Sequence, residues 1–199
     1  DIPMDENIPI EGVRTGPRNV KWKPSTEATL VWNEALDGGD PSVETPFRDA
    51  YITLSAPFED SAQEFLRVQH RAYGISFFAD PSRVTTTEYD RDRRWVRTLL
   101  HDLKLPNSTP VALSDRSIRD RYGDPGSVVN VLDKTGHAVA KQDGDWIYRT
   151  GAGASPKGNL PFIDRQNLKT LETERLWRCS EGSYDSVIVI VKSSDSDKP

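Results

Sequence analysis

Cysteine, methionine and histidine are scarce, with one Cys, one Met and three His in 199 residues. A lone thiol cannot close a disulfide within the chain, so composition neither demands an oxidising compartment nor excludes one. Cys179 follows an apolar stretch with no histidine nearby in sequence, which fits a buried structural thiol better than a nucleophile. His70, His101 and His137 fall in different parts of the chain, none at ligand spacing to Cys179 or to one another, so no metal is expected, and no pattern demands a cofactor. Long apolar runs are also missing. The longest, Val187 to Val191, is strand-sized and far short of the ~20 residues of a membrane-spanning helix, so no membrane span is expected. Basic charge is in deficit: 26 Lys and Arg against 31 Asp and Glu leave a net charge of −5. With arginines interleaved among aspartates, nucleic acid is not the expected partner. The acidic start, Asp1 to Asn7, lacks the basic-then-apolar pattern of a signal peptide, so any such signal has been removed or was never there. Compartment is left open.

What is present is a repeat of long period. Asn19-Val20-Lys21-Trp22 with Thr29-Leu30-Val31-Trp32 corresponds to Gly74-Ile75-Ser76-Phe77 with Val84 to Thr87, and again to Val128 to Val131 with Ala138-Val139-Ala140. Each pair reads as a β-hairpin closed by a turn: Lys23-Pro24-Ser25-Thr26, Ala79-Asp80-Pro81-Ser82 and Asp133-Lys134-Thr135-Gly136. Aligning Trp22, Phe77 and Val131 gives 77 − 22 = 55 and 131 − 77 = 54; a fourth start at Val187 gives 187 − 131 = 56. Two further apolar stretches complete each unit: Tyr51 to Leu54 with Phe65 to Val68, Val96 to Leu100 with Val111 to Leu113, and Phe162 to Leu168 with Glu174 to Trp177.

The expected fold is therefore all-β. It is a β-propeller fragment of about three four-stranded blades plus the first strand of a fourth, with a sandwich or solenoid as runner-up. The units divide as a lead-in over 1–18, blades over 19–73, 74–127 and 128–183, the start of a next blade over 184–191 and a polar tail over 192–199. Helix is the local alternative at Ser61 to Leu66, which matches a capping box, and at Leu168 to Leu176. Agreement between the copies favours strands at both. Three blades and a fraction do not close a ring, so the missing blades are expected in a longer polypeptide or in further copies. The five tryptophans, on or beside predicted strands, are expected to pack between blades.

No self-contained catalytic apparatus emerges. Gly153-Ala154-Ser155-Pro156-Lys157-Gly158 has lysine where a nucleophile elbow needs its second glycine, and Asn159-Leu160 follows where a phosphate-binding loop needs Lys and Ser or Thr. Asp37 to Asp40 and Asp143 to Asp145 read as turns, not calcium loops. The unusual chemistry is the arginine density of Tyr89 to Trp95 and Asp115 to Pro125. Guanidinium groups there either pair with neighbouring aspartates to fix the loops or hold carboxylates of a ligand by bidentate hydrogen bonds. On the second reading Arg93, Arg94, Arg119 and Arg121 are the substrate-orienting candidates.

Taken in order, Arg18 to Trp22, Leu30 to Pro41, Tyr89 to Trp95, Asp115 to Pro125 and Thr150 to Pro156 resemble the propeller of glutamyl-endopeptidase-type members of the prolyl oligopeptidase family, over about Pro9 to Val191. The resemblance implies a serine peptidase in which a β-propeller covers a carboxy-terminal α/β-hydrolase domain. That domain and its Ser, Asp and His triad would lie beyond Pro199, so no catalytic residue is carried over to this chain. It further implies a peptide substrate, cleavage after glutamate, and a setting in the plastid stroma or the bacterial periplasm or cytoplasm. The competing class is a non-enzymatic, protein-binding module built on a partial or oligomer-closed propeller. A reading frame that continues into a Gly-x-Ser-x-Gly hydrolase pattern separates the two.

Overall fold

A computed structural model describes residues 8–105 and 108–190. The strands are β1 (Arg18–Trp22), β2 (Thr29–Ala35), β3 (Asp49–Ser55), β4 (Gln63–Val68), β5 (Arg71–Phe77), β6 (Arg83–Asp90), β7 (Trp95–Asp102), β8 (Val111–Ser117), β9 (Ser127–Val128), β10 (Asn130–Leu132), β11 (Ala138–Ala140), β12 (Gln142–Asp143), β13 (Trp146–Gly151), β14 (Ala154–Ser155), β15 (Gly158–Asn159), β16 (Phe162–Asn167) and β17 (Thr173–Arg178). Among the described residues there is no helix, and both segments with helical potential are strands, β4 and β17.

Three antiparallel sheets follow one another along the chain, ordered β1-β2-β3-β4, β5-β6-β7-β8 and β12-β13-β16-β17, the last with β9 also paired to β13. This is the expected all-β, blade-like architecture. The second strands β2, β6 and β13 are rich in β-branched and aromatic residues; β2 and β6 are the most buried of their sheets, and β13 shares that place with β16, as befits strands covered on both faces. Pairing is continuous from Thr29↔Ser55 to Ala35↔Asp49 and from Arg83↔Asp102 to Asp90↔Trp95.

The outer pair of each sheet slips register once, at Tyr51/Ile52, Thr98/Leu99 and Ile163/Asp164. The residue left over on the fourth strand is apolar each time: Phe65, Leu113 and Leu176. A bulge re-aims a side chain. Phe65 packs with Phe77 and Val84 of the second sheet, and Leu113 packs with Ala140, Ile147 and Leu168. Leu176 is exposed.

The third sheet departs from the expected register. Ala138–Ala140 pairs only with Asn130–Leu132 in a separate hairpin, and Trp146–Gly151 takes the second-strand position. Asp133 causes this, because its Oδ1 accepts from the Thr135 amide at 2.8 Å and the His137 amide at 2.9 Å and so closes a tight local turn. Second strands begin at Thr29, Arg83 and Trp146, spaced 83 − 29 = 54 and 146 − 83 = 63, the excess being the inserted hairpin.

The strand expected over 184–191 has no ladder among the described residues: 183–190 is unpaired, with Tyr184, Ile188 and Val189 exposed, and Val191 lies outside them. A strand draws its hydrogen bonds from a neighbour, and none is offered here. The acidic start to Asn7 and the tail over 192–199 also lie outside the described residues. Only Trp32 of the five tryptophans is buried. Trp22, at the end of the edge strand β1, and Trp177, on the outermost strand, have too little covering them. Cys179 is buried, its thiol beside Ser180 and Ser183.

Candidate functional site

The turns β2-β3, β6-β7 and β13-β16 gather at one end of the sheets, because antiparallel strands return every second connection to the same side. The lead-in segment is seated there on the β2-β3 turn. Val13 donates its amide to Gly39 O at 2.9 Å, and Gly39 has φ +79 with Val13 O only 1.9 Å from where a Cβ would stand. No other residue fits that position.

Beneath these loops lies a buried ion network. The Asp49 carboxylate accepts from Arg18, from Arg71 at 2.7 Å and from the Ala72 amide at 2.7 Å; Asp37 accepts from Arg71 at 2.6 Å and Arg48 at 2.9 Å. Burial pushes the Asp49 carboxyl upward, and the amide and the two guanidinium groups oppose it. The network ties β1 and β3 of the first sheet to β5 of the second.

On that floor opens a cleft of about 1030 Å³, where Arg91, Arg93, Arg94, His70, Tyr73 and Tyr89 meet. Asp90 shapes its rim by accepting from the amides of Asp92 and Arg93, and Arg94 closes the turn with φ 55, in the left-handed region. Burial, then the Arg97 charge, holds His70 below the usual imidazole range against the pull of Asp90 and Glu88.

The arginine-rich segments divide into two groups. Arg91 is paired with Glu11 across the cleft mouth, and Arg116 with Asp124 at 2.6 Å. These fix loops. Arg93 lies over the Trp95 ring, 4.8 Å from its centroid, and 3.8 Å from Asp90. Arg94, Arg119 and Arg121 are exposed and make no side-chain hydrogen bond or ion pair among the described residues. The four candidates do not share one cavity. Arg93 and Arg94 line the large cleft, while Arg119 and Arg121 line a smaller one of about 550 Å³ with Tyr122, Ser155 and Asn159. The two loops touch, because the Ile118 amide donates to Arg94 O at 3.0 Å.

Sequence reasoning missed Tyr73 and the Asp37-Asp49 floor, and marked Tyr89 only as the start of an arginine-dense segment. The one available signal was the pairing of acidic and basic residues at Asp37, Arg48, Asp49 and Arg71 near strand ends. Among the described residues no group of three or more His, Cys, Asp or Glu converges as metal ligands, and no helix is long and apolar enough to cross a membrane.

Successive four-stranded antiparallel sheets, with their turns collected over a charged cleft, define a β-propeller portion with a polar loop face. No protein-family model matches the chain. It is similar to two curated proteins named probable glutamyl endopeptidase, chloroplastic: 34% identical to that of Oryza sativa subsp. japonica and 32% to that of Arabidopsis thaliana. Each match covers 99% of this chain but 22% and 21% of the relative, so the chain spans about a fifth of their length. Among solved structures, the tricorn protease overlaps 84% of this chain and 13% of its own at TM-score 0.46 and 10% identity. TolB from Acinetobacter baumannii overlaps 67% of this chain and 28% of its own at TM-score 0.40 and 15% identity. The fold assignment rests on the sheets themselves and not on these partial overlaps.

Proposed function

We propose that this chain is the non-catalytic propeller portion of a serine-type endopeptidase of the prolyl oligopeptidase family, which admits and orients acidic peptides for an α/β-hydrolase domain encoded outside these residues. The observation that carries this reading is the set of unpaired arginines, Arg94, Arg119 and Arg121, on touching loops at one end of the sheets of a net acidic chain. An exposed guanidinium with no internal partner is free to hold a carboxylate by two parallel hydrogen bonds. The names of the plant relatives support the peptidase context and a plastid setting. Cleavage itself, acyl transfer to a serine with histidine carrying the proton, belongs to the partner domain, and no residue of this chain is assigned to it.

The test is kinetic, in the full-length protein. Arg94→Ala, Arg119→Ala and Arg121→Ala together are expected to lower kcat/KM on a glutamate-containing peptide by roughly tenfold, since exposed ion pairs contribute about 0.2–1 kcal/mol each. The glutamine counterpart should be unaffected. An unchanged Glu-to-Gln ratio removes the arginines from substrate handling.

A further inference from the structure

Tyr73 stands apart from the rest of the first strands. In β5, Ala72 pairs with Glu88 and Gly74 with Thr87, which leaves Tyr73 as the extra residue of a bulge. The bulge turns its ring outward, where it is 63% exposed and stacked on Tyr89 with centroids 5.1 Å apart and planes at 20°. Both flanks are pinned: the Ala72 amide to the buried Asp49 carboxylate at 2.7 Å, and Gly74 O by the Tyr51 hydroxyl at 2.9 Å. An aromatic ring held out to water on a rigid base, with one face covered by a second ring, is pre-organised for a partner on its other face.

A register slip also occurs in the first strand of the first sheet, between Arg18 and Lys21, without an aromatic ring. Tyr73 is therefore not demanded by the bulge. It lines the large cleft together with Arg94.

We infer that Tyr73, backed by Tyr89, is a recognition subsite for an aromatic side chain of an acidic peptide whose neighbouring carboxylate is held by Arg94. This rests on the acidic-peptide reading above and adds a second specificity to it. A nucleotide ligand is disfavoured by charge. Arg91 is committed to Glu11, Arg48 and Arg71 to Asp37 and Asp49, and Arg93 to Asp90 and the Trp95 ring, which leaves Arg94 as this cleft's unpaired arginine among the described residues. One guanidinium suits a carboxylate and is too little for a polyphosphate backbone.

The experiment is fluorescence anisotropy with the intact protein and four labelled peptides identical except for a central Phe-Glu, Phe-Gln, Ala-Glu or Ala-Gln. Tyr73→Ala is expected to weaken the Phe-Glu peptide about fivefold and the Ala-Glu peptide less than about twofold, in keeping with one lost aromatic pair. Arg94→Ala is expected to weaken both Glu peptides and neither Gln peptide. Equal weakening of the Phe and Ala peptides by Tyr73→Ala overturns the subsite. So does tighter binding of an oligothymidylate than of any peptide. Loss of Glu-over-Gln discrimination in the unmodified protein, with the Tyr73-Phe coupling intact, defeats the acidic-peptide reading and leaves the aromatic subsite standing. Should Tyr73→Ala fail to fold by circular dichroism, Tyr73→Leu keeps apolar bulk on the bulge. Persistence of the full Phe-over-Ala preference in that variant overturns the role of the ring.

Discussion

The two seams between the sheets share apolar packing, with Val31 against Phe77 and Val84 across the first, and differ in what accompanies it. The first joins β1 and β3 to β5 through Asp37, Asp49, Arg18, Arg48 and Arg71, all buried or half-buried. The second is a dry contact of Phe78, Leu113, Ala140, Ile147 and Leu168, joined by a hydrogen bond from Gln166 Nε2 to Leu113 O at 2.9 Å. The hydrophobic attraction has no preferred direction, whereas carboxylate-guanidinium forks fix distance and direction. The charged seam lies under the large cleft and carries the bulge of Tyr73. The dry seam holds the next sheet in place. Geometry is specified most tightly where the candidate site needs it.

Removing one partner from a buried network strands the others, while an apolar contact loses only its own packing. Asp49→Ala should therefore show the largest effect, destabilising by about 4 kcal/mol in urea unfolding because Arg18 and the Ala72 amide lose their acceptor and Arg71 keeps only Asp37 as its carboxylate partner. Phe78→Ala, at the centre of the dry seam, should lose about 3 kcal/mol. A larger loss for Phe78→Ala than for Asp49→Ala reverses the contrast between the seams.

Within the second sheet, β6 and β7 are joined by a group that makes stability depend on pH. His101 accepts or donates to Thr86 Oγ1 at 2.8 Å, and burial, then the Arg97 charge, lowers its pKa from 6.5 to about 4. Between those values the unfolded chain takes up a proton that the folded chain refuses. Stability therefore falls as pH drops from about 6.5 to about 4, by at most about 3 kcal/mol. His101→Gln should flatten that slope in thermal unfolding at a series of pH values; an unaltered slope assigns it to the carboxylates instead.

A smaller effect sharpens the same comparison. Arg149 is the charge on the dry side: its Nε donates to Gln166 Oε1 at 2.9 Å and its Nη1 to Gly126 O at 3.0 Å, while Nη2 has no partner. Burial lowers its pKa to about 10, against the pull of Asp124 and Asp164. Arg149→Met should cost about 1 kcal/mol, because relief of a buried, incompletely bonded charge offsets two lost hydrogen bonds. A loss as large as that of Asp49→Ala would place Arg149 in a network like the first seam's.

Much of this was legible in the sequence. The eight strands of the first two sheets were marked by alternating apolar stretches and by Pro, Gly and Asp turns, and the recurring Trp22 and Phe77 positions gave the period. The third sheet was misregistered because its apolar Ala138–Ala140 stretch satisfied the period, while pairing is decided by the Asp133 turn, a local device that periodicity does not see. Arginine density marked the loop face. It did not divide structural from free guanidinium groups, since the partner of Arg91 is Glu11, 80 residues away in sequence. Tyr73 was hidden for a similar reason: a one-residue slip against β6 turns it outward, and register is a property of two strands together.

The claim on which the account rests, that unpaired arginines on touching loops grip acidic peptides, is tested most directly by equilibrium binding. The titration compares a glutamate peptide with its glutamine isostere, on the intact protein and on the Arg94→Ala, Arg119→Ala, Arg121→Ala variant, at low and high salt. The account predicts a roughly tenfold preference for glutamate at low salt that shrinks with salt and vanishes in the variant. Equal affinity for the two peptides, or a preference that survives the triple substitution, contradicts it.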